Sequence, residues 1–243
     1  MGVDFLAVYE SALNRYEQAF ENIELRKSIL AYESRAISDV IPGFEAEKLE
    51  FGSFAKENYA VLFVDMRQST KRAHDVGPEV TFLTMHVFLT SLLEIVKYHN
   101  GKVIDIMGDG LMVFWGGEAA REEDYEFKSA AVKKAGLCGR DMLTARVRVI
   151  NRIVSEKKLG PSINIGVGVT FGSVVVTKIG VADTYDVKAF GDCVNVASKY
   201  ANKATNQVLV SQKVKNEWPS SKNGKISFAP SRVEGAYVLE SGN

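Results

Sequence analysis

Hydrophobic residues in the first fifty positions recur with a helical period. Phe5, Tyr9, Leu13, Tyr16 and Phe20 fall on one stripe with Glu and Arg between them, which predicts an amphipathic helix. A second helical stretch runs from Ile23 to Ile37 and stops before Ile41-Pro42-Gly43. Residues 1–50 are expected to be a helical hairpin packed on the domain formed by 51–243, with a dimerisation or regulatory arm as the alternative. The pattern then changes. The unbroken run Ala60-Val61-Leu62-Phe63-Val64 predicts a short buried strand that ends on Asp65. Pro78 and Glu79 open a helix with Phe82, Met85, Leu89, Leu92, Leu93 and Val96 on one face, and Asn100-Gly101 stops it. The apolar runs 102–107 and 111–115 flank Gly108-Asp109-Gly110, which predicts a β-hairpin.

Further on, Tyr125 to Val154 reads as a charged helical stretch weakened in its middle by Gly136 and Gly139. Alternation through Ile163, Ile165, Val167, Val169 and Phe171 predicts a strand, and Gly166 and Gly168 on its other face allow close backbone approach. Val194 to Lys199 reads as a helix with Asp192 as N-cap, which puts Asn195 and Lys199 on one face. A strand at Gln207–Val210, a short helix at Val214–Trp218 and a closing hairpin, 226–228 with 236–239, complete the chain.

Two of these elements carry candidate chemistry. Asp65 ends a strand, and the backbone N–H groups after it, at a turn or helix start, suit phosphate oxygens. Asp109 brings a second carboxylate to the same end of a neighbouring strand. Together they make a site for hard divalent cations with oxygen ligands.

Composition narrows the setting. The 243 residues are 46% hydrophobic, with Lys+Arg 30 against Asp+Glu 30. A soluble globular chain is expected, and zero net charge argues against nonspecific nucleic-acid or membrane partners. Cys138 and Cys193 make neither a disulfide framework nor a metal quartet and suit a reducing cytosol. No apolar run is expected to span a bilayer, no leader is recognisable, and Leu6 stands where myristoylation wants Ser or Thr, so the location expected is cytoplasmic.

VDMRQST, KVIDIMGDGLMVFW, INIGVGVTFGSVVVTKIG and FGDCVNVASKYAN, in that order and spacing, resemble class III nucleotidyl cyclases across roughly Tyr59 to Trp218. The resemblance implies an α+β fold, an α/β sandwich with a βααβ core, whose catalytic domains pair head to tail with active sites between them. It implies Asp65 and Asp109 as metal-binding aspartates with the Met66 carbonyl as a further ligand. Two divalent cations, Mn²⁺ or Mg²⁺, would serve them. The amides of Arg67, Gln68, Ser69 and Thr70 would cradle the triphosphate. Asn195 would orient the ribose, and Lys199 would stand where the family has an Arg on the α-phosphate, as a point charge without Arg's bidentate fork. Arg232 is the nearest match to a phosphate-binding Lys near the C-terminus. His74, His86 and His99 are expected to be structural.

The positions of the family's adenine readers hold Asp105 and Lys188, with the charges exchanged. Asp105 can accept from uracil N3–H while Lys188 donates to O4; guanine and cytosine can also be fitted, and the two side chains could instead pair with each other. A short cyclase with a helical N-terminal segment looks like the pyrimidine cyclases of bacterial anti-phage signalling. The expectation is therefore a homodimer that converts UTP to cyclic UMP and pyrophosphate, with the product read by a separate effector. A guanylate or adenylate cyclase is the alternative. From a different class, a catalytically weak nucleotide-binding regulatory domain also fits Lys199.

Overall fold

The computed structural model describes residues 2–24, 40–41, 44–45, 50–117, 125–181, 184–220 and 224–241. Its centre is strand β3 (Phe54–Met66), which follows helix α1 (Phe5–Glu24) and a two-stranded ribbon, β1 (Val40–Ile41) with β2 (Phe44–Glu45). Ala60, Leu62 and Val64 enter one core and Tyr59, Val61 and Phe63 another. Burial on both faces is why this stretch is apolar without alternation. The strand is longer than its apolar run because β6 (Ile165–Val181) pairs with it from Phe54 to Met66.

After β3 come α2 (Ser69–Val76), α3 (Pro78–Tyr98), β4 (Lys102–Met107) and β5 (Gly110–Gly116), the expected βααβ order. A helical rod follows: α4 (Tyr125–Ala145), one π-helical turn (Arg146–Ile150) and α5 (Asn151–Glu156). The chain ends with β6, β7 (Thr184–Phe190), α6 (Asp192–Lys203), β8 (Val208–Ser211), α7 (Gln212–Asn216), β9 (Ile226–Pro230) and β10 (Ala236–Ser241). The main sheet runs β4-β5-β3-β6-β8-β10-β9, with β7 paired to the outer part of β6. Among the described strands only β6 with β8 is parallel. Helices α3 and α4 cover one face, with α1 packed outside them on α3 and the π-helical turn, and α6 covers the other.

Several helix faces differ from the sequence expectation. The buried stripe of α1 is Val8, Ala12, Tyr16 and Ala19, while Phe20 is exposed. The two alanines let the helix approach α3. Phe5, Tyr9 and Tyr16 carry the cations Arg148, Arg152 and Lys157 over their rings, and the Tyr9 hydroxyl donates to Glu156 at 2.6 Å. In α3 the buried face is Leu83, Thr84, Val87, Phe88, Ser91, Leu92, Ile95 and Val96, with Phe82 exposed. This helix is apolar nearly all round because α1 packs along a second side, while Met85 borders the cavity beside Gly108 and Asp109 and Leu93 lies by Lys102 and Val103 of β4. By length and composition it could cross a membrane (mean hydropathy 1.5), contrary to the expectation of no such run; burial between sheet and helices accounts for that composition. The second helical stretch expected up to Ile37 lies, beyond Glu24, outside the described residues.

Glycines fix how α4 and α6 dock. A Cβ on Gly136 would lie 2.5 Å from the Trp218 ring, and one on Gly139 would lie 2.9 Å from Val167. The residues expected to weaken α4 are those that let it lie close to its neighbours. A Cβ on Gly166 or Gly168 would stand about 2 Å from the carbonyl oxygens of Ala201 or Ala197. The face those two glycines leave open is filled by α6 of the same chain.

Candidate active site

The strand ends converge where the sequence placed the carboxylates. Asp65 pairs in register with Gly110 on one side and Gly166 on the other. A side chain at Gly110 would meet the Val64 carbonyl at 2.7 Å and Asp65 Oδ1 at 3.5 Å, so a glycine lets the hairpin lie flush against the aspartate. The Met66 N–H donates to the Asp109 carbonyl at 3.2 Å, which locks the two loops together. Burial, then the nearby Asp109 charge, hold the Asp65 carboxyl above its ordinary range, with Arg67 opposing. Arg67 is 3.8 Å from Asp65 and compensates only in part.

Two carboxyls forced together at a half-buried strand end, with oxygen donors only, fit a hard divalent cation. No group of three or more His, Cys, Asp or Glu exists among the described residues, so any further ligands would be backbone oxygens, water or substrate. Asp65 and Asp109 would hold the cation, with the Met66 carbonyl at the end of the same strand.

Around α2 the expectation divides. Gln68 occupies the left-handed region (φ 58) and turns the chain into the helix, which leaves the first-turn amides of Ser69 and Thr70 without intrahelical acceptors. They line a cavity of about 350 Å³ together with Arg72, Thr81, Gly108 and Asp109. Arg67 is a correction. Its amide donates to the Asn164 carbonyl at 2.8 Å and its guanidinium to the Ala201 and Asn202 carbonyls at 3.0 and 2.6 Å. The amide is therefore spent, and Arg67 pins the loop to the end of α6 instead of cradling phosphate.

Arg72 carries no signal in the sequence that marks it as a candidate. It is buried, donates to the Leu159 and Pro161 carbonyls, and leaves its Nε without a partner. It ties α2 to the turn before β6. An Arg in a short polar helix gives no periodic signal, so only the tertiary contact reveals it.

The base and ribose candidates sit on other elements. Asn195 and Lys199 are both exposed on α6, one turn apart. That helix begins at Asp192 behind Gly191, with no side-chain cap, so the carboxylate sits in the first turn and does not cap it. Asp105 is half-buried on β4, where the register shifts between Val103 and Asp105. Lys188 is exposed and paired with Asp186, 2.5 Å away, not with Asp105. That bond, and secondarily the Asp105 charge, raise the Lys188 ammonium pKa. Asp186 is not among the candidates expected from the sequence; its signal there is the alternation Asp-Val-Lys.

Arg232 is exposed in the β9–β10 turn, at the opposite edge of the sheet from β4 and β5. A single chain does not bring it to the carboxylates. Of the histidines, His99 is buried against Asp141 at 2.9 Å and joins α3 to α4. His86 is half-buried, and its pKa is lowered by that burial. His74 is exposed beside Asp75.

The adenylate and guanylate cyclase catalytic-domain model matches residues 53–235, which includes every element that positions these side chains. The chain belongs to that family. Among relatives of this cyclase domain, a cytidylate cyclase of Staphylococcus aureus is 26% identical over 157 residues, covering 63% of this chain and 36% of the relative. A cytidylate cyclase of Escherichia coli is 26% identical over 173 residues, 69% of this chain and 37% of the relative. The chain thus spans little more than a third of the length of these relatives.

Solved structures share the fold. The guanylyl cyclase Cya2 superposes with a TM-score of 0.61 at 20% identity, over 76% of this chain and 91% of that one. A class III adenylyl cyclase-like ATP-binding protein from Pseudomonas aeruginosa gives 0.64 at 16% identity, over 86% and 44%. The class III cyclase fold expected from the sequence is the fold observed.

Proposed function

We propose that the protein is a pyrimidine nucleotidyl cyclase, acting as a head-to-tail homodimer. The observation that carries the reading is the juxtaposition of Asp65 and Asp109 beside the open amides of α2 in a cyclase-family fold. Divalent cations, two by family resemblance and Mn²⁺ or Mg²⁺ in kind, would acidify the ribose 3′-hydroxyl and neutralise the triphosphate. The protein supplies position. Ser69 and Thr70, with Gln68 setting the turn, hold phosphate oxygens; Asn195 orients the ribose; Lys199 faces the α-phosphate. The 3′-oxygen attacks the α-phosphorus in line, the bond to the bridging oxygen breaks, and pyrophosphate leaves. No protein nucleophile is needed.

Dimerisation is supported by the exposure of Asn195 and Lys199, which leaves them available to a partner's carboxylates. It is also supported by exposed Ile179, Val181 and Phe190 on the projecting β6–β7 ribbon. Arg232 would reach phosphate only from a partner.

Asp105 and Lys188 read the base. The exchange of charge relative to the adenine readers, and relatives named as cytidylate cyclases, both support a pyrimidine. Between the two, uracil N3–H to Asp105 favours UTP and the relatives' names favour CTP. The product would act as a second messenger for a separate effector, in the manner of anti-phage signalling. The regulatory alternative draws on Lys199 in place of Arg and on the fold neighbour described as an ATP-binding protein.

The test is incubation with ATP, GTP, CTP and UTP in Mn²⁺ or Mg²⁺, followed by mass spectrometry. Cyclic UMP or cyclic CMP with pyrophosphate supports the reading and decides the base. A cyclic purine overturns the substrate class. No product from a folded dimer favours the regulatory domain.

A further inference from the structure

Lys188 is not the isolated cation that a base-reading role assumes. On β7, Val187 is buried against the α6 side of the sheet, so its neighbours Asp186 and Lys188 share the opposite face. The β6 register sets Lys188 opposite Thr177 and Asp186 opposite Ile179, so β6 offers neither of them a charge. Lys188 Nζ lies 2.5 Å from Asp186 Oδ2, with both side chains about half exposed. The Asp105 carboxylate on β4 is near enough to act on the same ammonium. Lys188 therefore bonds the carboxylate two residues away on its own strand, with the Asp105 charge acting on it as well.

We infer that Asp186 is a positioning residue for base selection: by holding Lys188 it keeps Asp105 unpaired and free to accept from the base. The inference rests on the cyclase reading above. An ammonium has three donors; one goes to Asp186 and the others remain for a base carbonyl or ring nitrogen, in a direction the ion pair fixes. If Asp186 were removed, the other acid acting on Lys188 would be Asp105. Pairing of those two would close the subsite from within, and each incoming base would have to break the pair before binding.

The experiment is a double-mutant cycle on the full chain, using Asp186→Ala, Asp186→Asn, Lys188→Met and the Asp186→Ala/Lys188→Met double variant. Steady-state kinetics use whichever triphosphate the wild-type protein cyclises, and thermal melts run alongside. Asp186→Ala and Asp186→Asn are expected to raise KM about fivefold with kcat nearly unchanged, the scale of a half-exposed ion pair. They are also expected to shift the ratio of kcat/KM between that base and the other three. In the Lys188→Met background the same change should add nothing, because no cation is left to hold.

A merely structural aspartate would lower Tm and weaken both backgrounds alike. That result overturns the inference, as does wild-type KM and base discrimination in Asp186→Ala. A wild-type protein that makes a cyclic purine overturns the pyrimidine reading, and the cycle then decides the role of Asp186 with the purine. For a protein without turnover, equilibrium binding of the four triphosphates replaces KM. Unchanged affinities and base preference in Asp186→Ala overturn the inference there too.

Discussion

Asp65 costs the fold stability where it stands. Its folded-state pKa is raised by burial and by Asp109, so the folded protein binds the proton more tightly than the unfolded chain does. Stability from this group is therefore fully present below the unfolded-state pKa and is lost as pH rises through the folded-state value. At neutral pH in metal-free buffer, Asp65→Asn should raise Tm while lowering product formation on the order of a thousandfold, the scale of losing a metal's charge stabilisation. Mn²⁺ should raise the Tm of wild type by binding the folded state and leave that of Asp65→Asn nearly unchanged. Thermal melts with and without Mn²⁺ check both. Lys199 makes the second prediction at this scale. Lys199→Ala should reduce kcat about 10²- to 10³-fold, as expected for removing one transition-state charge. Lys199→Arg should stay within about tenfold of wild type, because the charge is kept and a fork is added. Single-turnover rates measure both variants. Asp65 and Asp109 were legible as residues because acids beside apolar strands and glycines are conspicuous. Arg72 and Asp186 were not, because their meaning depends on partners at Leu159, Pro161 and Lys188.

At the scale of elements, α6 is held by the absence of side chains on β6. A Cβ on Gly168 would sit 2.1 Å from the Ala197 carbonyl and 2.7 Å from the Ala201 amide, so Gly168→Ala must push the helix off the strand. Such overpacking costs about 1–3 kcal/mol or more. It should lower Tm by several degrees, and it should depress kcat because α6 carries Asn195 and Lys199. Parallel melts and kinetics check this, with Gly2→Ala, which meets nothing within 4 Å, as the control. The sequence shows that Gly166 and Gly168 permit close approach but not to what. For α3 it placed the helix correctly and chose the wrong face, because an all-round apolar helix has no single stripe for periodicity to find. Strand lengths were underestimated for a related reason. The outer parts of β3 and β6 pair with each other beyond the buried core, where no apolar signal is needed.

For the whole molecule, head-to-tail assembly makes a prediction that a site within one chain does not. A variant lacking Asp65 and a variant lacking Asn195 should each be inactive alone. Mixed under exchange, heterodimers carry one site with both defects and one with neither. Statistical mixing should therefore restore about a quarter of wild-type activity. No recovery would place both sets of residues in the same chain's site. The exposed Ile179, Val181 and Phe190 on the β6–β7 ribbon suit burial in such a dimer.

By itself the sequence determined the order of elements from β3 to α6 except β7, which has no expected counterpart, together with the hairpin that carries Asp109 and the candidate set from Asp65 to Lys199. These follow from short-range period, turn residues and motif spacing, which a chain carries locally. Only the tertiary structure decided that the Arg67 amide is taken by Asn164, that Arg232 stands at the far edge, and that Lys188 pairs with Asp186 and leaves Asp105 alone. The physical reason is common to all three. A hydrogen bond or ion pair is settled by competition among groups that folding brings together, and distance along the chain does not encode which partner wins.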